Sequence, residues 1–308
     1  MHGRNVPAVR HNPRVPAPPL LLAVPNVSAH DPAAVESIAA AFAPARVLDV
    51  HSDPDHGRSV LSLAALQGEL AAALAAGARE ATARIDLRRH RGAHPHVGAL
   101  DVAPVVYLRP EARGAAVAEA LTAAALIGED PGVPVFLYGD LATSPGTRER
   151  AALRAGGPAA LAARVEHGEL APDYGPPEVD PRAGAVLVTA RPPLVAFNVD
   201  LATDDVELAR SIAAELRESG GGPPGVRAIG LRLSHRGCAQ VSLNVHDHRA
   251  APLADLVARV AARAPVAALE LVGLAPADAL AGLPPELPLR DFDPERQVIE
   301  NALRSARS

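Results

Sequence analysis

Cysteine, tryptophan and aromatic side chains in general are what this 308-residue chain has least of. It holds one cysteine, no tryptophan and 2% aromatics. The lone Cys238 excludes an intrachain disulfide and a multi-cysteine zinc site, and it fits a reducing compartment. Its setting, "RGCAQVSLNV", predicts a buried structural thiol near the start of a strand. So few aromatics leave no stacking platform for nucleobases. The net charge of −5, with no basic tail, points away from general nucleic-acid binding. The longest apolar run near the N-terminus, "PLLLAVP", is too short for a signal core or a membrane span. A cytoplasmic protein without membrane or nucleic-acid partners is expected. What the chain does have is 48% apolar residues, mostly Ala, Leu and Val, enough for a sizeable core. Its length suits two domains of roughly 150 residues each.

Proline dominates the first residues, "MHGRNVPAVRHNPRVPAPP", and no apolar period runs through them, so residues 1–18 are expected to be a disordered tail. Short buried strands follow at "LLLAV" and "ARVLDV", with an Ala-rich helix between them over residues 32–42. Asp31 then Pro32 is an N-cap followed by proline at the first helical position. Further strands are expected at "SVLSLAAL", "ALDVAPVVYL" and "VPVFLYG", with helices over 67–83 and 111–128. The loop "PDYGPPEVDPRAG", with four prolines, marks the expected boundary between domains spanning 19–182 and 183–308. Beyond it the pattern restarts with strands "GAVLVTA", "LVAFNVDL", "VRAIGLRL", "CAQVSLNV" and "AALELVGL". Helices are expected over 206–219, 252–264, near Ala277 and over 294–307. Strands alternating with helices imply α/β or α+β architecture in two related halves, with a ligand cleft between them.

Two polar stretches could carry chemistry. "RRHRGAHPHVGALDV" brings together His90, His94 and His96 with Arg88, Arg89 and Arg91. His90 and His94 have the spacing of two metal ligands on one helical face, but Gly92 and Pro95 argue against a helix there. "HSDPDHGRS", just after a strand, is the second. Together the loops could bind a metal, although no HExxH-type signature is present. Alternatively, an imidazole on a rigid Gly-Pro loop, near solvent and titrating near neutrality, suits a general base. Neighbouring arginines suit carboxylates. Solvated loop residues without a role are the third alternative.

"GAHPHVGALDV" resembles the Gly-Glu-His-Pro-Arg-x-Gly-Ala-x-Asp-Val signature of glutamate formimidoyltransferases. "VPNVSAH", "LDVHSDPDHGRSV", "VPVFLYG", "APDYGP", "LVAFNVDL", "AQVSLNV" and "LVGLAPADAL" also resemble segments of that family, in order, from Leu20 to the C-terminal helix. The resemblance implies a stand-alone transferase without a cyclodeaminase domain. It implies two similar subdomains, each a mixed β-sheet with helices outside, the sheets facing each other around folate. The implied reaction moves a formimino group between N-formimino-L-glutamate and tetrahydrofolate, giving 5-formimidoyltetrahydrofolate and L-glutamate, as in histidine breakdown and one-carbon metabolism. The implied catalytic base is His94, accepting a proton from N5 and returning it to the departing amine. The implied folate loop is Gly175, Pro176, Pro177, Glu178, Val179, Asp180, Pro181, Arg182, Ala183 and Gly184. Asp53, Asp55, Arg58, Arg91 and His96 are the implied substrate-binding residues, with Asp53 or Asp55 orienting the imidazole. The implied partners are folate and formiminoglutamate, with a second copy of the chain as the candidate protein partner and no metal.

The chain departs from the family pattern at Ala93, where the family is acidic, and at His96, where it is basic. Gly57, Ala29-His30 and Thr189 also differ. Two other functions therefore stay open: a diverged folate-binding protein with altered or no transferase activity, and a metal-dependent hydrolase.

Overall fold

A computed structural model describes residues 17–305, so most of the expected tail lies outside the described residues. The chain runs through β1 (Leu20–Ala23), β2 (Asn26–Val27), α1 (Pro32–Ala41), β3 (Arg46–Asp53), β4 (Arg58–Leu66), α2 (Leu70–Arg84), β5 (Leu100–Val106) and α3 (Arg113–Glu129). It continues through β6 (Val135–Leu137), α4 (Arg150–Arg154), α5 (Gly157–Glu166), β7 (Val186–Arg191), β8 (Val195–Leu201) and α6 (Val206–Leu216). The remainder is β9 (Val226–Leu233), β10 (Cys238–Val245), α7 (Leu253–Ala261), β11 (Val266–Val272), α8 (Pro294–Gln297) and α9 (Ile299–Ser305).

The first sheet is mixed. β3 pairs with β4, and β1 and β2 in turn bridge β4 to β5, all antiparallel. β5 then pairs parallel with β7, and β7 with β6. Parallel neighbours need crossovers, and α3 supplies the one between β5 and β6. Alternation sorts the two faces. Leu21, Ala23, Leu61, Leu63, Ala103 and Val105 pack beneath α1, α2 and α3. Leu22, Ala64 and Val106 point the other way and meet Ile299 of α9.

Helix chemistry explains the tight outer layer. Asp31 Oδ2 accepts from the Ala34 amide at 3.0 Å, capping α1 as expected. α2 and α3 meet through alanines, and small side chains let helix axes approach closely. Gly77 of α2 leaves room for the fully buried Phe42: a Cβ there would lie 2.1 Å from the Phe42 ring.

The second sheet, in order β11-β8-β10-β9, is antiparallel throughout its pairings rather than mixed. Phe197, Val199, Val241, Leu243, Leu269 and Leu271 pack under α6 and α7. The alternate positions on the opposite face are polar: Asn198, Asp200, Gln240, Ser242 and Glu270, all buried. They are buried because that face meets the first sheet.

The expected boundary at residues 182/183 falls before β7, a strand lodged between β5 and β6. The first sheet therefore extends to Arg191, and the Pro-rich loop is a connection within it. Loop composition marks a turn but carries no information about which sheet the next strand joins. Cys238 opens β10 as expected but is half-buried rather than buried. The expected C-terminal helix breaks at Val298, which bridges to Ala275. α4 and α5 fill a stretch in which no element was expected.

Gly77→Ala tests the outer packing. Alanine favours an isolated helix by about 1 kcal/mol, whereas overpacking costs about 1–3 kcal/mol. The clash with Phe42 should win, and thermal unfolding should show a less stable variant.

Candidate functional site

Two loops build the site by docking on each other. The turn between β3 and β4, residues 54–57, meets the stretch before β5. The Ala93 amide donates to the Asp55 carbonyl at 2.9 Å, and the His94 amide to the His56 carbonyl at 3.4 Å. Gly57 has φ +67°, and a Cβ there would lie 2.5 Å from Gly92 Cα. Only glycine allows this conformation and this approach without strain. The contact stacks the His56 and His94 rings at 5.5 Å.

His94 is only 7% exposed. Its Nδ1 lies 2.8 Å from the Pro95 carbonyl oxygen, and its Nε2 lies 2.7 Å from Arg58 Nη1. A carbonyl oxygen only accepts and a guanidinium only donates, so the proton sits on Nδ1 and Nε2 carries a lone pair. Burial, then the charges of Arg58 and Arg154, hold its pKa well below that of a free imidazole. The imidazole expected near solvent and titrating near neutrality is therefore buried, with its pKa held well below the usual histidine range. Neither Asp53 nor Asp55 orients its ring; the Pro95 carbonyl does.

A pocket of about 200 Å³ of empty space adjoins this ring, lined by Asn26, Ser28, His56, Arg58, His90, His96 and Asp101 among others. His96 Nδ1–H donates to the His94 carbonyl oxygen, 3.3 Å away, because a carbonyl oxygen only accepts. His90 sits edge-on to His96 at 4.1 Å, and burial with the His96 charge pushes its pKa down to about 4. The His90 Nε2 is buried without a partner among the described residues. Asp101 accepts from the Val97 amide at 2.8 Å and pairs with buried Arg154.

Asn26 and Arg58 also belong to the wall of a much larger cleft between the two sheets, with about 700 Å³ of empty space. Leu22, Val24, Val60, Val102, Pro104 and Val106 give it one apolar wall; Ala196, Val272, Leu274 and Ile299 give the other. Arg58, Arg150 and Arg191 are its cations. The chain contains no lysine, so every side-chain cation other than histidine is a guanidinium. None of the three forms an ion pair with a described residue; Arg191 donates only to the Pro192 carbonyl and Arg58 only to His94. Burial, with the like charges of Arg154 and Arg150, pushes the Arg58 pKa down to about 9. Burial likewise pushes Arg191 down to about 10. Unpaired guanidiniums on apolar walls suit a flat ligand bearing carboxylates.

The other expected site residues have different surroundings. Asp53 and Asp55 are tied to the second sheet rather than open to a ligand. Asp53 accepts from Arg236 at 2.9 Å, and Asp55 accepts from the amides of His235 and Arg236 at 2.7 and 3.3 Å. Arg236 also reaches Glu270 at 2.8 Å and Asp200 at 3.5 Å. Gln240 joins the halves again, donating to Asp200 and accepting from His56 Nε2, each at 2.8 Å. Arg91 is exposed and donates to the carbonyls of Arg88 and His90, away from both cavities. Residues 175–184 line neither cavity. Arg182 donates to the Ala83 carbonyl at the end of α2, and Ala183 accepts from the Ala99 amide. Among the described residues no group of three His, Cys, Asp or Glu side chains could hold a metal ion. No helix among them is long and apolar enough to cross a membrane.

Arg150, Arg191 and Asn244, which also lines the cleft, were not singled out from the sequence. Arg191 ends an apolar strand, "VLVTAR", and that position is the one signal that could have singled it out.

The fold and the site define a two-sheet α/β protein with a cation-lined ligand cleft between its halves. Residues 20–191 match the Formiminotransferase domain, N-terminal subdomain, and residues 196–283 match the Formiminotransferase domain. Glutamate formimidoyltransferase of Streptococcus pyogenes serotype M1 is 36% identical over 263 residues, 83% of this chain and 88% of that protein. The Thermoplasma acidophilum protein of the same name is 34% identical over 269 residues, 85% and 88% of the two chains. Formimidoyltransferase-cyclodeaminase of Sus scrofa is 38% identical over 245 residues, 76% of this chain and 45% of that protein. The chain belongs to the formiminotransferase family.

Acid should loosen this structure through its histidines. His56, His90 and His94 all have pKa values held below 6.5, chiefly by burial. Unfolded, each takes up its proton near pH 6.5. Their neutral burial therefore stabilises the fold fully above that pH and progressively less as pH falls toward the folded values. The expected loss is roughly 1.4 kcal/mol per pH unit for each histidine. Urea unfolding at pH 7, 6 and 5 measures it; equal stability at all three would mean that the rings take up protons in the folded state at the same pH as in the unfolded one.

Proposed function

We propose that this protein is a glutamate formimidoyltransferase, moving a formimino group between N-formimino-L-glutamate and tetrahydrofolate. Membership of the family supports the reaction class. The observation that carries the assignment of the site is the junction of two cavities at Arg58, with His94 behind it. The apolar walls suit the pterin and benzoyl rings, and the unpaired guanidiniums suit the carboxylates of both substrates.

In this mechanism the tetrahydrofolate N5 attacks the formimino carbon and a tetrahedral adduct forms. The bond from that carbon to the glutamate nitrogen then breaks, leaving 5-formimidoyltetrahydrofolate and L-glutamate. His94 takes the N5 proton on Nε2 and returns it to the departing nitrogen. Nδ1–H, held by the Pro95 carbonyl, keeps the ring in the tautomer this requires. The substitutions Ala93 and His96 leave that geometry in place: Ala93 contributes its backbone amide, and His96 faces the His94 carbonyl. A folate role for residues 175–184 rests on the resemblance alone, and the cleft walls are the better-supported folate site.

A diverged folate-binding protein would hold folate without turnover. Both readings are tested by incubating the protein with tetrahydrofolate and N-formimino-L-glutamate and following 5-formimidoyltetrahydrofolate. Product should form, and His94→Ala should lower kcat by about 10²–10⁴-fold. Folate binding without product would favour the alternative. Arg191→Met should leave kcat within a few fold while raising KM for the carboxylate substrate, roughly tenfold or more for a lost charge-assisted contact.

A further inference from the structure

Arg58 stands where no general base should tolerate a neighbour. Its Nη1 donates to His94 Nε2 at 2.7 Å, onto the lone pair that would accept a proton. With the guanidinium in place, protonation of Nε2 would set N–H against N–H. His94 in this arrangement is correctly oriented and yet blocked.

The same guanidinium is poorly satisfied. It carries five donors, and its one side-chain hydrogen bond runs to an imidazole. It forms no ion pair among the described residues, and its charge lies near those of Arg154 and Arg150. It lines the histidine pocket, the large cleft, and a third small pocket with His51, Asp53 and Asn198 between the halves. Any carboxylate entering the cleft offers it a better acceptor than a neutral ring nitrogen, because it brings the opposite charge and can accept two parallel N–H bonds.

We propose that Arg58 is a substrate-released latch on His94: it caps the base in the free protein, and a carboxylate of the bound substrate draws it into the cleft and uncaps Nε2. Arg58 is thus a positioning residue whose movement couples substrate binding to base activation. Bases left uncapped would exchange protons with water in the empty cleft; a latched base becomes competent only beside its substrate. The coupling rests on the assignment of His94 as the base.

The groups facing His94 are Arg58 on β4, Arg154 and Arg150 on α4, His56 on the β3–β4 turn, and His90, His96 and Asp101 around the pocket. Among the described residues only Arg58 touches Nε2, so its removal isolates the latch. Ring-¹⁵N NMR titration of His94 in the full chain reads it directly, with wild type, Arg58→Met and Arg58→Lys, each with and without saturating L-glutamate and no folate. The expected wild-type His94 pKa rises by about one unit or more when glutamate is added. Arg58→Met should show the raised value without glutamate and no further response, while Arg58→Lys should restore part of the response. In turnover, the acid limb of kcat should lie above that of kcat/KM for wild type, because the complex is unlatched and the free protein is not. The two limbs should coincide in Arg58→Met.

Equal His94 pKa values in wild type and Arg58→Met would overturn the latch. A raised value in Arg58→Met with no glutamate response in wild type would overturn the coupling and leave Arg58 a static neighbour. Ring titration reports on the latch whether or not His94 is the base. Full transfer activity in His94→Ala would instead remove the mechanistic assignment while the NMR result stood.

Discussion

Arg236 joins three buried carboxylates from two sheets, and the cleft exists because of that junction. It sits on the β9–β10 turn and reaches Asp53 on the first sheet and Glu270 and Asp200 on the second. Burial alone would raise the pKa of Asp53 and of Glu270, but Arg236 and other partners, His56 for Asp53 and Asn198 for Glu270, outweigh it and both carboxyls end below their usual range. A buried ion cluster is expensive in desolvation and strong only when every member is paired. That condition fixes the spacing of the sheets at this point. Arg290, which also reaches Asp200, and Arg296, which reaches Asp49, extend the same polar seam.

The cleft has the opposite electrostatics. There the guanidiniums of Arg58, Arg150 and Arg191 form no ion pair among the described residues, and the walls are apolar. A protein can keep unpaired buried cations only where the rest of the fold holds them, and such strain is concentrated at sites that bind something. The structure thus separates two uses of arginine. Arg236, surrounded by acids, sets the geometry, while the cleft arginines form no ion pair among the described residues. Binding energy from a carboxylate would relieve desolvation already incurred in folding, which is the sense in which the site is preorganised.

Much of the architecture was legible from pattern. The short apolar segments "SVLSLAAL" and "VRAIGLRL" read as strands, and Asp31-Pro32 as a helix start whose cap forms as expected. His94 was ambiguous from its neighbours alone and was singled out by ordered family motifs. The polar alternates of β8 and β10, Asn198 and Asp200, Gln240 and Ser242, were visible too. A sheet with one polar face ordinarily turns that face to water. Here it turns to a second sheet, and no local pattern distinguishes the two. For the same reason Asp53 and Asp55 read as ligands for a substrate when they are ligands for the other half of the protein.

The sequence by itself determined most of the elements, though not α4, α5 or the break at Val298, together with the two-part plan and the family, because those depend on periodicity, turn chemistry and motif order along the chain. Tertiary structure alone decided which strand joined which sheet, which carboxylates became internal ties, and which arginines faced an empty cleft. It also decided that His94 on the Gly-Pro loop would be buried and hydrogen-bonded by Arg58, 36 residues away in the chain. Protonation state and pairing depend on what surrounds a group in space, and desolvation by residues distant in sequence leaves no mark on the residues beside it.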